Sequence, residues 1–319
     1  MSDGLAAVLA TLRVVPSVAV VAHVSPEGDA VGATLGAALA LQAAGKIAAG
    51  FNADPIPPEL RHLPGVAALS RERPKGYACY LVVDTSDLER TGGLLAERGA
   101  ESVVVNVDHH AGNTRFGDVN WVEPTASSAG ELVYRLLREG GFPIPPEAAA
   151  NLYAAILTDT GGFQFANTQA ACLHAAAALV AAGADPEAIG RGLRANRPLG
   201  QVKLLGEVLN GLAVSPGGRV AWIEITVAMR RRAGVGLEVT EDFIEYPRSL
   251  AGVRIAVAFK EISADEVRVS LRSFGALDVS RVAGAFGGGG HRNAAGCTVR
   301  ATLETAKAHV LLLAEALVV

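Results

Sequence analysis

Residues 17–29 read SVAVVAHVSPEGD, an apolar run that ends in a histidine and is followed by two acids. The run is short, β-branched and without alternation, which is typical of a strand buried on both faces of a parallel sheet. His23 stands at its end, and Glu27 and Asp29 follow within a segment that also contains a proline and a glycine. Because proline, glycine and aspartate are common in turns, one interpretation of this segment is a solvated turn. The other is half of a metal site whose remaining ligands lie further along the chain.

Similar apolar runs recur through the first half of the chain. They occupy residues 47–52, 77–85 and 102–110. Stretches rich in alanine and leucine predict helices at 30–45, 88–98, 128–140, 146–157 and 168–183. Apolar strands that alternate with helices predict an α/β domain built on a parallel sheet covered on both faces.

The second half has a different pattern. Strands are predicted at 219–226, 254–262, 266–274 and 296–301, and helices at 240–251, 278–286 and 302–316. The strand at 266–274 alternates between apolar and polar residues, as a half-buried strand does. We therefore expect an α/β protein with a parallel-sheet domain at 1–185, a helical connector at 186–215 and a smaller α+β domain at 216–319, with a cleft between the two domains.

Composition excludes several classes of protein. The net charge is −4 and aromatic residues are 5% of the chain, which is unlike a protein that grips long single strands by phosphate neutralisation and base stacking. We see no signal peptide and no run long enough to cross a membrane. The three cysteines are widely spaced and predict reduced thiols, so we expect a cytoplasmic protein.

Acids and imidazoles cluster at the predicted strand ends. Asp84 ends the strand at 77–85, the triplet Asp108–His110 ends the strand at 102–110, and Asp159 ends a helix. Ligands bind at the carboxyl ends of the strands in open parallel sheets, so we expect these groups to meet those of residues 23–29. Asp84 alone could instead cap the following helix.

The type of donor indicates which metal the site would take. Carboxylates and imidazoles without thiolates suit Mn²⁺, Mg²⁺ or another octahedral divalent ion better than a structural zinc. Two such ions that share one carboxylate can supply a hydroxide nucleophile at neutral pH and neutralise the charge that develops on a phosphoryl group.

The segment FGGGGHRNAAG at 286–296 is the second strong signal. A run of glycines lets the backbone approach a ligand closely, and His291 and Asn293 add donors beside it. A flexible linker is the alternative interpretation. The segment lacks the lysine of a P-loop, so ATP-driven chemistry is not expected. Arg272 on the preceding strand is a candidate phosphate ligand by bidentate hydrogen bonding.

These segments resemble a known family. HVSPEGDAVG, VVDTSD, VDHHAGNTRFG and TDTGGFQF are similar, in order, to the successive motifs of the DHH phosphoesterases, and RSFGALDVSRVAGAFGGGGHRNAAG resembles the DHH-associated C-terminal domain. The nearest type is the oligoribonuclease/pAp-phosphatase (NrnA-like) branch. The resemblance implies a two-domain hydrolase with a manganese pair in the cleft. One departure is Glu27, since the first motif of the family most often has aspartate there, and we expect this longer acid still to bind metal.

The resemblance also implies a role for each matched residue. The metal ligands would be His23, Glu27, Asp29, Asp84, His109 and Asp159, with Asp84 bridging the two ions. Asp84, Asp159 and His110 would be catalytic, His110 contacting phosphate or orienting the site, while Asp108 would support the histidines. Substrate would be bound by Asn113, Arg115, Arg272, Gly290, His291 and Asn293.

The expected activity is metal-dependent hydrolysis of short oligoribonucleotides and linear dinucleotides of the pApA type, and of 3′-phosphoadenosine 5′-phosphate (pAp), by attack of a metal-bound hydroxide on phosphorus. The alternatives within this class are an inorganic pyrophosphatase and an exonuclease for longer single strands. Alternatives of another class are a nucleotide sensor without catalysis and an RNA-binding module. The sequence leaves open the substrate length and base, RNA against DNA, the polarity of cleavage and whether the protein forms a homodimer.

Overall fold

The computed structural model describes residues 3–194 and 197–318. The chain divides into two compact units, Met1–Asn196 and Arg197–Val319. No helix in the described ranges is both long and apolar enough to span a membrane.

The first unit has the following elements. Its helices are α1 (Asp3–Val14), α2 (Gly28–Ala43), α3 (Ala129–Gly140), α4 (Pro146–Asp159), α5 (Ala170–Ala181) and α6 (Pro186–Arg194). Its strands are β1 (Ser17–Val21), β2 (Ile47–Phe51), β3 (Cys79–Val83), β4 (Val103–Asp108) and β5 (Val119–Val122). Short 3₁₀ helices lie at Pro58–Leu60, Val66–Ala68 and Glu89–Thr91.

These strands form one parallel sheet in the order β2-β1-β3-β4-β5. The chain leaves β1 outward to β2 and then returns to the other side of β1 for β3. This reversal places a topological switch point between β1 and β3, where the carboxyl ends of parallel strands leave a crevice. Residues after β1 and after β3 therefore meet.

The two faces of this sheet are covered differently. Helices α1 to α5 pack on one face. The other face carries Leu94 and Leu95 from the segment after β3. We predicted a helix at 88–98, and this prediction is wrong, because this described segment has one 3₁₀ turn followed by Gly92 and Gly93 at φ +63° and +76°. Glycine takes this left-handed conformation without steric cost, and it ends the helix.

Close packing between α2 and α4 depends on glycines of α2, of which two lie against α4 near the predicted site. A Cβ at Gly28 would lie 2.4 Å from Oγ1 of Thr158, and one at Gly32 would lie 2.5 Å from the carbonyl oxygen of Asn151. Only residues without a side chain allow the two helices to approach this closely. The approach brings the start of α2 next to the end of α4, and each of these ends carries a predicted site residue.

The second unit is a smaller α+β domain. Its strands are β6 (Ala213–Val214), β7 (Val220–Ile225), β8 (Ile255–Ser263), β9 (Glu266–Ser273), β10 (Gly289–His291) and β11 (Ala294–Val299). Its helices are α7 (Leu199–Asn210), α8 (Val227–Ala233), α9 (Glu245–Arg248), α10 (Ser280–Gly284) and α11 (Leu303–Ala316), with a 3₁₀ helix at Glu238–Ile244.

These strands form a mixed sheet in the order β10-β11-β9-β8-β7-β6, in which β7 and β8 are parallel and the other neighbours are antiparallel. Helices α10 and α11 pack on one face of it. On the other face, α7 and the 3₁₀ helix pack against β7 and β8. The predicted fold class, a parallel-sheet domain with a smaller α+β domain, is confirmed.

The predicted connector at 186–215 divides between the two units. Ile189 of α6 belongs to the first hydrophobic core, whereas Leu204 and Val208 of α7 belong to a core of the second unit. Part of the glycine run forms β10, an edge strand that pairs with β11 across a two-residue turn at Arg292 and Asn293.

Candidate functional site

Three strand ends of the first sheet meet around one buried aspartate. Asp84, the residue after β3, has its Oδ2 3.4 Å from Nε2 of His23 and its Oδ1 3.5 Å from Nε2 of His109. His23 follows β1, and His109 follows β4, so the two imidazoles come from the strands on either side of β3. The positive φ of Asp84, +52°, turns its carboxylate between them.

Two further acids come from helix ends. Asp29 lies in the first turn of α2 with its Oδ2 3.7 Å from Nε2 of His109, and Asp159 ends α4 with its Oδ2 3.8 Å from the same nitrogen. Glu27, the residue before α2, has its Oε1 3.9 Å from Nε2 of His23, and its side chain is largely exposed. The structure thus brings all six residues predicted as metal ligands into one cluster.

Their donor atoms fall into groups of metal-binding size. Within each group the candidate ligand atoms lie within 4.8 Å of one another. The groups are His23, Glu27 and Asp84; Asp29, His109 and Asp159; and Asp84, His109 and His110. Asp84 belongs to two of them, which is the arrangement needed for a carboxylate that bridges two ions.

The environment of the Asp84 carboxylate indicates whether the site fits a divalent cation. It is fully buried, and neither of its oxygens has a hydrogen-bond partner among the described residues. A buried carboxylate without donors is costly unless a cation compensates it. The cluster contains carboxylate and imidazole donors and no thiolate, which suits a divalent ion of the manganese or magnesium type. The residues are therefore placed to bind divalent metal.

The protonation equilibria reflect the crowding of acids. Burial raises the pKa of Asp159 to about 6, with Asp84 and Glu27 adding to the effect. Burial and the charge of Asp84 also raise the pKa of Asp29 well above its usual range. Raised pKa values mean that Asp29 and Asp159 take up protons more readily than ordinary aspartates, which reduces the negative charge of the cluster.

The pKa values of His109 and Asp84 shift in the directions that favour their charged forms. Burial lowers the pKa of His109, but its contact with Asp84 and the charge of Asp29 prevail and raise this pKa to about 10. Burial raises the pKa of Asp84, but the neighbouring imidazoles of His109 and His23 bring it down to about 2. Asp84 therefore stays ionised as the negative centre of the cluster.

The His23 ring is held in one orientation. Its Nδ1 lies 2.7 Å from the carbonyl oxygen of Val24 and can donate to it, which leaves Nε2 facing Asp84 and Glu27. The carbonyl group of His23 accepts a hydrogen bond from the side chain of Asn52. The hydrogen bond from the ring nitrogen Nδ1 is the type that fixes the tautomer and the direction of a metal-binding histidine.

Asp29 is held by the N-terminus of α3, a contact that could not be predicted from local sequence. Its oxygens accept hydrogen bonds from the backbone amides of Ala129 and Gly130, at 2.7 and 2.8 Å. The amides at a helix start and the helix dipole both favour a carboxylate there. Ser128 caps the same helix, and the sequence SAGE at 128–131 fits a capping box, which is the one local sign that a helix starts here.

Asp108 supports a neighbouring histidine. Its Oδ1 lies 2.8 Å from Nδ1 of His110, and its Oδ2 accepts a hydrogen bond from the side chain of Asn113. The contact with Asp108 raises the pKa of His110, although burial opposes it. The arrangement is the one expected for a carboxylate that orients an imidazole.

Two residues predicted to reach phosphate lie beside this pair. The amide group of Asn113 donates to Asp108, Asn106 and the carbonyl group of Thr85, and its oxygen accepts from the backbone of Arg115. In this structure Asn113 therefore positions the loop, and its contact with substrate stays a prediction. Arg115 is exposed at φ +54°.

Sequence reasoning missed two amide side chains that hold the site together. Asn167 donates to the backbone of Ser127 and Asp159 and so ties the end of α4 to the loop before α3. Asn106, within β4, donates to the carbonyl groups of Val82 and Thr85. An asparagine inside a buried apolar strand is the signal that could have found the second one, since its amide must find partners.

The predicted substrate residues of the second unit lie around one turn. Arg272 on β9, His291 on β10 and the turn residue Asn293 are neighbours across the strand pairs. Gly290, at φ +140°, has no room for a Cβ, which would lie 2.5 Å from the carbonyl oxygen of Ala294. Asn293 donates to Ser273 and to the carbonyl groups of the following loop, so its amide nitrogen holds the turn in place.

Known proteins share these features over most of the chain. The family model described as DHH family, N-terminal domain, matches residues 17–156, and the DHHA1 domain model matches residues 224–318. A protein of Thermus thermophilus named bifunctional oligoribonuclease and PAP phosphatase NrnA is 35% identical over 281 residues, which are 87% of this chain and 82% of that protein. A protein of the same name from Bacillus subtilis is 29% identical over 87% of each chain.

Similarity in three dimensions extends over nearly the full chain. The crystal structure of an exopolyphosphatase-related protein from Bacteroides fragilis has a TM-score of 0.89 to this structure at 26% identity, covering 97% of this chain and 96% of the other. Since both domain models match in order and the relatives cover most of the chain, the family resemblance of the motifs is confirmed. The chain belongs to the DHH phosphoesterases that carry a DHHA1 domain, and it is a phosphoester hydrolase.

Proposed function

We propose that this hydrolase acts on short oligoribonucleotides and linear dinucleotides, and on pAp, with two Mn²⁺ ions as cofactors. The observation that carries the proposal is the buried Asp84 carboxylate, which has no hydrogen-bond donor in the part of the chain that the structure describes and lies between two groups of candidate metal ligands. The names of the relatives from T. thermophilus and B. subtilis supply the substrate class.

Two sets of residues would hold the ions. His23, Glu27 and Asp84 would bind one, and Asp29, Asp84, His109 and Asp159 would bind the other. Bound divalent ions lower the pKa of water and neutralise the charge that develops on a phosphoryl group. The Asp29 carboxylate is oriented for this task by the amides of α3, and His23 by the carbonyl group of Val24.

His110 would act on the phosphoryl group beside the metal ligands. Its Nδ1 is engaged by Asp108, and among the described residues no hydrogen bond occupies its Nε2. That nitrogen could therefore contact a non-bridging phosphate oxygen. In the reaction, the bond between phosphorus and the leaving oxygen breaks, a bond from phosphorus to a water oxygen forms, and the leaving oxygen takes up a proton.

Arg272 and the turn at 290–293 would bind the phosphate or sugar away from the bond that breaks. Arg272 can offer a bidentate contact, and Gly290 lets the backbone come close to a ligand. We also propose the cytoplasm as the compartment, because all three cysteines are buried and none of them pairs with another.

Product analysis tests the proposal. The purified chain is incubated with Mn²⁺ and, separately, with pApA, pAp, a longer RNA and pyrophosphate, and the products are separated by anion exchange. We expect AMP from pApA and pAp, slow turnover of the longer RNA and little of pyrophosphate. Faster turnover of pyrophosphate than of both nucleotides would refute the substrate class, and no turnover with metal bound would favour a sensor.

A further inference from the structure

Half of one face of the second sheet is left uncovered by the described helices that form the hydrophobic cores of this unit. On the side opposite α10 and α11, the 3₁₀ helix and α7 pack over β7 and β8. Beyond β8, on strands β9, β11 and β10, the outward-facing residues are exposed or half-buried. We call this surface of the three strands the open face.

Strand pairing sets the residues of the open face in three cross-strand rows, because residues directly paired in a sheet point to the same side. The first row is His291, Ala294 and Arg272; the second is Gly289, Gly296 and Ser270; the third is Thr298 and Arg268, with Lys260 next on β8. The first and third rows carry the cations, and the second carries only small residues.

The cations of the open face differ in how far acids compensate them. Arg268 is exposed and forms no ion pair with any described residue, and Arg272 has one acid, Glu245, whose Oε1 is 4.0 Å from its Nε. In a protein of net charge −4, acids to pair with such arginines are abundant. An exposed arginine that no described acid pairs, beside two further cations, can attract an anion.

Lys260, which pairs with Arg268 across β8 and β9, adds a buried positive charge next to this surface. Its side chain is fully buried, and its Nζ lies 2.8 Å from Oε1 of Glu241. Burial lowers the pKa of Lys260, and the ion pair with Glu241 opposes this. The positive charges of Arg268 and Arg272 lower this pKa further, to a smaller extent than burial does.

A cavity of about 450 Å³ lies next to Arg268, outside the turn at 290–293. Ser270, Thr298, Phe286 and Gly288 line it together with Arg268. A Cβ at Gly288 would lie 2.3 Å from the carbonyl oxygen of Gly296, so side chains are absent where the two backbones meet. The cavity therefore combines two hydroxyl groups, a guanidinium and an aromatic ring.

We propose that Arg268, with Ser270 and Thr298, binds a further phosphodiester of a strand whose first phosphate is held by Arg272. The inference rests on the proposed function and names the residue that makes the enzyme sensitive to substrate length. Arg268 and Arg272 are four residues apart on β9, so their Cα atoms are separated by about 13 Å along the strand. A substrate with one or two phosphates at the first row does not need the third row, and a longer strand can contact both.

The open face also ends soon after Arg268. Glu266 is two residues before Arg268 on β9 and so points to the same side, where its carboxylate repels a further phosphate. The positive surface is thus only three rows long. A surface of this length suits a strand of a few nucleotides, in keeping with the low content of aromatic residues.

Kinetics with substrates of two lengths test the proposal. Arg268→Ala is compared with the wild type on pApA and on a five-nucleotide RNA, with Arg231→Ala as a matched control, since Arg231 is an exposed arginine of the same unit on α8. We expect kcat/KM for the five-nucleotide RNA to fall about tenfold in Arg268→Ala, the effect of one charge-assisted contact, and that for pApA to change less than about threefold. Arg231→Ala should match the wild type on both.

The salt dependence gives a readout that a structural defect would not change. For the longer RNA, the slope of log Kd against log salt concentration should become shallower by about 0.7 in Arg268→Ala, the value for one phosphate contact on a single strand. Arg268→Lys should restore most of the slope, because a phosphate contact by charge alone does not need the planar guanidinium.

Binding of the labelled RNA is measured by fluorescence anisotropy in EDTA, so that it does not depend on catalysis. Equal losses for both lengths, or no loss for the longer RNA, would overturn the role of Arg268. If the wild type hydrolyses neither substrate but Arg268→Ala still weakens only the longer RNA in EDTA, the proposed function fails and the binding role of Arg268 stands.

Discussion

The carboxyl edge of the first sheet and the open face of the second sheet are both built on β-strands, but the first collects ligands for a cation and the second presents cations to an anion. At the first, residues after adjacent strands converge, and three imidazole nitrogens lie 3.4 to 3.7 Å from the oxygens of Asp84. At the second, residues within strands point the same way and stay apart, so its arginines are spread along β9. Strand ends therefore suit a small cation that needs several ligands, and a strand face suits an anion with repeated charges.

The two regions also differ in how their charges are tolerated. Asp84 and Asp29 are almost completely buried and depend on neighbouring imidazoles or on the amides of α3. Arg268 is exposed, so its charge does not need a buried partner. A substitution in the first region should thus affect metal binding and chemistry together, whereas one in the second should change substrate binding alone.

The largest effect is expected from Asp84→Asn. The change keeps the shape of the side chain but removes the charge shared by two groups of ligands, so we expect at least about a thousandfold loss of kcat on pApA, within the range known for single catalytic groups. Metal content by mass spectrometry should fall in parallel. Asp265→Asn, at an exposed position of the second unit, is the control. Full metal content in Asp84→Asn would contradict the bridging role.

Glu27 should have a smaller but measurable effect. Its Oε1 is 3.9 Å from Nε2 of His23 and its side chain is largely exposed, so it is the least constrained of the six candidate ligands. Glu27→Ala should weaken binding of one Mn²⁺ by about 10- to 100-fold in a calorimetric titration, as losses in metal sites commonly do.

Glu27→Asp sharpens the same test. The shorter acid should bind metal better than Glu27→Ala does, because it retains the charge. If Glu27→Ala binds both ions as tightly as the wild type, Glu27 is not a ligand.

In the second region, Arg272→Ala should raise KM for pApA about tenfold and leave kcat within about threefold, since the lost contact binds ground state and transition state alike. Steady-state kinetics with Arg231→Ala as control measure this. A fall in kcat at unchanged KM would instead place Arg272 in the chemical step and remove the contrast between the two regions.

Lys260→Met should have the smallest effect. At pH 7 we expect the variant to be as stable as the wild type or about 1 kcal/mol more stable in urea unfolding, because it removes a buried charge whose acid partner, Glu241, is mostly exposed.

The pH dependence of this difference has a definite sign. Burial lowers the pKa of Lys260 in the folded protein, so folding disfavours the charged form as long as lysine is protonated in both states. That cost disappears as pH rises through the lowered pKa toward 10.5, the ordinary value for lysine, and the wild type should gain stability relative to Lys260→Met over this range. A difference that does not change with pH would mean that Lys260 titrates normally.

Much of the first region was predictable because its information is local. Apolar runs locate the strands, and the residue that follows each run lies at the same edge of a parallel sheet. The meeting of His23, Asp84 and His109 could therefore be expected from sequence alone. The helix predicted at 88–98 failed for an equally local reason, since the preference of two glycines for a turn outweighed the surrounding helix formers.

Sequence alone specified the two-domain α/β architecture, the family and the set of acids and imidazoles that gather at one sheet edge. The way these groups are held depended on the tertiary fold: Asp29 binds amides about a hundred residues away, Asn167 ties down the end of α4, and Asn113 turns inward to Asp108. The fold also determined that Arg268 and Arg272 share an open face with Lys260. Periodicity along a chain encodes elements and faces, but hydrogen bonds and charge compensation between distant segments depend on which elements pack together, and that is set by the whole fold.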